Sequence, residues 1–96
     1  MKLPMFSNIK ERAEWAANQA ELVRTHGLAY AREEYRKALE GEGKERWFEM
    51  NNIPNDTIED KIKAEQAWEG QLAYLRDNVS YLEKKVKEYE KLAAQK

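Results

Sequence analysis

Apolar residues recur at helical spacing along most of the chain, and the character of the pattern changes from one end to the other. Ile9, Ala13, Ala16, Ala20 and Val23 stand four and three apart, which predicts a helix whose inner stripe is mostly alanine. Trp15 and Leu22, seven apart, widen that stripe on one side. The next apolar set is Leu28, Ala31, Tyr35 and then Ala38 or Leu39, so the step from Val23 to Leu28 is five. A five-residue step beside Gly27 predicts a bulge, a kink or a change of buried face. Ser7, just before Asn8-Ile9, is the expected N-cap of this arm. Gly41-Glu42-Gly43 is its expected C-terminal stop.

The second half is patterned more strongly. Leu72, Leu75, Val79, Leu82, Val86, Tyr89 and Ala93 alternate three and four apart, an a/d seam over three heptads. Extending that register backwards places Trp68 at d, Glu65 at a, Lys61 at d and Ile58 at a, so the seam becomes polar near its start. Asn51-Asn52-Ile53-Pro54 marks the break before this helix, because the residue preceding proline disfavours helix. Asn55 or Asp56 is the expected cap, with Glu59 in capping-box spacing from Asp56.

These elements predict an all-α fold, a long antiparallel helical hairpin in a single domain. Its parts are a first helix over residues 8–40, a connector over 41–56 with a short helix over 44–51, and a final helix over 57–94 with coiled-coil heptads. Composition agrees. Ala, Glu, Lys, Leu and Arg supply 52 of the 96 residues, and four Gly with two Pro leave few turns. A sandwich or a βαβ sheet needs many more.

Charge narrows the partners. Residues 1–50 carry nine basic and nine acidic side chains, and residues 51–96 carry eight and nine. A nucleic-acid binder shows a basic face or pole. Here Lys84, Lys85, Lys87 and Lys91 are interleaved with Glu83, Glu88 and Glu90, the pattern of a solvated helix face. Val, Ile, Leu and Phe total only 17, a small private core, so burial against another chain is expected. No apolar run approaches the ~20 residues of a membrane span. The start, Met1-Lys2-Leu3-Pro4-Met5-Phe6, is too short for a signal peptide. The cytoplasm is therefore the expected location, with signal-independent export left open.

Candidate chemistry is sparse. There is no cysteine. The only histidine, His26, has Leu22, Val23, Ala29 and Tyr30 as its helical neighbours and no carboxylate three or four residues away. The Glu-x-x-His and His-Glu-x-x-His units of metal sites are missing. Glu65 and Glu69 share a face, as paired glutamates in charged helices commonly do. Ser7 and Ser80 are the only serines, and Gly41-Glu42-Gly43-Lys44 lacks P-loop spacing. No catalytic residue, cofactor or metal is expected.

Surface aromatics point to binding instead. Tyr74 and Tyr81 sit seven apart at c positions beside the seam, where seam packing leaves them exposed. Aromatic side chains are enriched at protein contacts. With Trp68, Leu72, Leu75, Val79, Leu82, Val86 and Tyr89 they form the expected partner or self-association face. Trp47, Phe48 and Met50 form a connector patch that either caps the hairpin tip or binds outward. Lys85 at g and Glu90 at e are placed for an interchain pair in a parallel dimer.

The expected function is a small non-catalytic interaction module, acting as an adaptor, an assembly factor or an inhibitor by occupancy. Its partner is a protein, in a homodimer or a hetero-complex. A phage or mobile-element accessory protein blocking a host enzyme, and a nucleic-acid-associated helical protein, are the alternatives. Trp68-Glu69-Gly70, in a cysteine-free helical chain of about this length, also resembles the WXG100 family. That resemblance implies a small helical hairpin exported as a dimer. It rests on those three residues with size and class, and the turn signals here lie at 41–56 rather than at the tripeptide.

Overall fold

The computed structural model describes residues 7–95; Lys96 and the six-residue start considered for a leader lie outside the described residues. Among the described residues there is no strand. The order is α1 (Ile9–Leu22), a π-helical segment (Val23–Leu28), α2 (Ala29–Leu39), α3 (Lys44–Met50) and α4 (Ile58–Ala93). The fold is an all-α helical hairpin with a short helical connector. Contacts divide the described residues into two units, 7–30 with 80–95, and Ala31–Val79.

In the first unit, α1 buries Ala13, Ala16 and Ala20, the alanine stripe of the sequence, while Ile9 and Leu22 stay exposed. Leu22, about half exposed, therefore does not widen the buried stripe. The stripe meets the last turns of α4 in antiparallel sense. Arg12 donates to Gln95 (3.1 Å), and the rings of Trp15 and Tyr89 meet edge to face at 5.6 Å. A Cβ at Gly27 would lie 3.9 Å from Leu82.

The cap of α1 sits one residue later than Ser7. Asn8 Oδ1 accepts from the Glu11 N–H at 2.8 Å, and the Ser7 N–H and hydroxyl donate back to the Glu11 carboxylate. The Asn8 side chain reaches the N3 amide, so Ser7 takes the outer half of the box. Those Ser7 hydrogen bonds, side chain first, hold the Glu11 carboxyl below its ordinary pKa.

The five-residue step is resolved as a π-helix over Val23–Leu28. The Ala29 N–H reaches the Arg24 carbonyl five residues back. One extra residue in the turn carries the buried stripe from Val23 to Leu28 without moving it off the inner face.

In the second unit α2 continues the stripe with Ala31 and Ala38, leaving Leu39 outside. It ends in a Schellman motif. Gly41 adopts φ +83°, its N–H reaches the Ala38 carbonyl, and the Glu42 N–H reaches that of Lys37. Gly43, at φ +77°, then opens α3. Phe48 of α3 packs with Ala38, Ala64 and Trp68, flanked by Trp47, Ile53, Leu72 and Leu75. Trp68 stands 5.3 Å from Trp47 and 6.3 Å from Phe48, ring centre to ring centre.

The cap of α4 is Thr57, whose Oγ1 accepts from the Asp60 N–H at 3.0 Å, rather than Asn55 or Asp56. Glu59 consequently pairs along the helix with Lys63 instead of closing a capping box. The buried position ahead of Trp68 is Ala64, not Glu65. A strict seven-residue repeat drifts about 20° per heptad from a straight helix, and the four-four step Ala64–Trp68–Leu72 takes up that drift. Glu65 turns outward to Lys44.

Candidate surface on the last helix

The seam residues all lie on the inner side of α4. Val86 and Trp68 are buried, while Leu72, Leu75, Val79, Leu82, Tyr89 and Ala93 are half-buried. Within the second unit Leu72 and Leu75 pack on the aromatic set, and within the first unit Tyr89 meets Trp15. The first arm answers this seam mostly with alanines, so it covers the larger side chains only in part.

Tyr74 and Tyr81 lie off that stripe, 65% and 57% exposed. Lys85 stands over the Tyr81 ring at 5.6 Å and pairs with Glu88, whose hydrogen bond raises the lysine pKa. Glu90 pairs with Arg24 at 3.3 Å. Lys85 and Glu90, spaced for a pair between parallel chains, are thus both engaged within this chain.

The connector residues separate. Phe48 belongs to the core, Trp47 is half-buried on Trp68, and Met50 is 72% exposed. Beside them, an open hollow of about 350 Å³ has Trp47, Trp68, Leu75 and Met50 among its walls and Glu34, Lys37 and Arg46 around it. A second hollow, about 320 Å³, lies over Phe48, Ile53 and Pro54 beside Glu45, Glu49 and Asp56. Neither brings together a nucleophile and a base.

His26 is exposed on the π-helical segment, and Ser80 is exposed on α4. Glu65 and Glu69 are both exposed, Glu65 being paired with Lys44. No group of three or more histidines and carboxylates placed for a metal occurs among the described residues. None of the described helices is long and apolar enough to cross a membrane.

Gly70, the last residue of the Trp68-Glu69-Gly70 tripeptide, is a further feature of this surface. It lies inside α4 rather than in a turn, and a Cβ added there would meet nothing within 4 Å. Interior glycine costs about 1 kcal/mol relative to alanine. Nothing in the packing of the described residues requires it. The signal was present in the sequence as a glycine between Ala67 and Tyr74 on one helical face.

Comparison with protein-family models, curated proteins and solved structures returns no match.

Proposed function

We propose that this chain is a non-catalytic, cytoplasmic interaction module that binds a protein partner through the outer side of α4. The observation that carries the reading is the exposure of Tyr74 and Tyr81 on a helix whose inner side is already engaged. Two large aromatic side chains held in water by a long helix offer apolar area at low entropic cost.

Partner binding by occupancy suits a surface with aromatic anchors and mixed charge and no paired nucleophile and base. The charged rows flanking the tyrosines would set register and exclude wrong partners. Affinity capture from the native cell, with Tyr74→Ala/Tyr81→Ala as control, tests the proposal. The double variant is expected to lose the captured partner while keeping its helical circular dichroism. Unchanged capture would remove this face from consideration.

A further inference from the structure

On α4, Lys63, Ala67, Gly70, Tyr74 and Asp77 stand four, three, four and three residues apart, one face of the helix within the second unit. All but the half-buried Ala67 are exposed. Lys63 and Asp77 have only exposed local contacts, with Glu59 at 3.4 Å and Arg76 at 3.5 Å. We propose that a second copy of this chain docks here, its α4 antiparallel to the first and crossing it at Gly70. The inference rests on the interaction reading above and names the partner.

The face is complementary to itself when reversed. With Gly70 opposite the second copy's Gly70, Lys63 lies opposite its Asp77, and Ala67 lies within one residue's rise, about 1.5 Å, of its Tyr74. Each of the last two pairings occurs twice about the two-fold axis, as an isologous interface requires. Small meets large, and cation meets anion. The missing side chain at the crossing point lets the two backbones approach closely, the use of glycine that no intrachain contact explains. A parallel arrangement would instead stack Lys63 on Lys63 and Asp77 on Asp77.

Sedimentation equilibrium at low salt on the full chain tests this arrangement. The wild type is expected to dimerise. Lys63→Asp and Asp77→Lys should each weaken self-association about tenfold, because two opposite-charge contacts become like-charge contacts. An equal mixture of the two single variants should recover the wild-type affinity, since every contact between unlike chains is again complementary. Gly70→Gln should weaken association while raising the melting temperature, because glutamine is the better helix former. Monomeric wild type at millimolar concentration would overturn the proposal, as would single variants that dimerise like wild type or a mixture that fails to recover. A monomeric chain that still captures another protein through Tyr74 and Tyr81 would sink self-association alone and leave the interaction reading standing.

Discussion

Replacing Trp68 with alanine is expected to lower stability by about 3–5 kcal/mol, the cost of emptying a large buried aromatic site. Trp68 is only 6% exposed and meets Trp47 and Phe48 through its ring, with Leu72 and Leu75 packed on the same cluster. The remaining buried members of that cluster are Phe48 and two alanines, which cannot close over the space left behind. A small domain holds about 5–15 kcal/mol in total, so a loss of this size moves it most of the way to unfolding. Urea denaturation followed by circular dichroism would record it as a large fall in the midpoint. Tyr74→Ala, six residues along the same helix but exposed, should stay within about 0.5 kcal/mol of wild type. Equal losses from the two variants would mean that the aromatic set does not hold the second unit together.

Deleting Gly27 is expected to stabilise the protein, although most deletions inside a helix do the opposite. The π-helical segment spans Val23–Leu28 because the apolar step there is five. Removing one residue shortens it to four, and Ala20, Val23, the former Leu28 and the former Ala31 then follow at three, four and three. The stripe stays on the inner face in an ordinary α-helix, and an interior glycine worth about 1 kcal/mol is lost as well. For a chain of this size, 1 kcal/mol corresponds to about 4–8 °C in melting temperature. Deleting Ala17 is the control. It rotates Ala20 and Val23 by about 100° relative to the buried Ala13 and Ala16, and the melting temperature should fall by more than the first deletion raises it. A lowered melting temperature for the Gly27 deletion would show that the π-helical turn contributes contacts of its own.

Long-range features of the fold were legible in the residue pattern, while positions decided by local hydrogen bonding were not. The five-residue step located the π-helical segment because a buried stripe must stay on one face. The glycine pair at 41 and 43 fixed the end of α2 because both adopt positive φ. Ser7 against Asn8, and Asp56 against Thr57, could not be separated, since neighbouring Ser, Thr, Asn and Asp all cap well and only geometry selects one. Glu65 was misplaced by strict heptad counting, which ignores the drift of a straight helix. On the surface, Tyr74 and Tyr81 stood out as large side chains off the seam. Gly70 gave a weaker signal, because an exposed helical glycine becomes conspicuous only once its surroundings are known to be open.

On the reading proposed above, the inner side of α4 serves the chain itself while the outer side takes a partner. A dilution series of ¹H–¹⁵N spectra, from millimolar to micromolar protein, tests it residue by residue. Concentration-dependent shifts are expected at Lys63, Ala67, Gly70, Tyr74 and Asp77, with Val86 and Ala64 unmoved in the core. Shifts that instead gather at Ala64, Leu72, Val79 and Val86, leaving the Gly70 face unchanged, would contradict it.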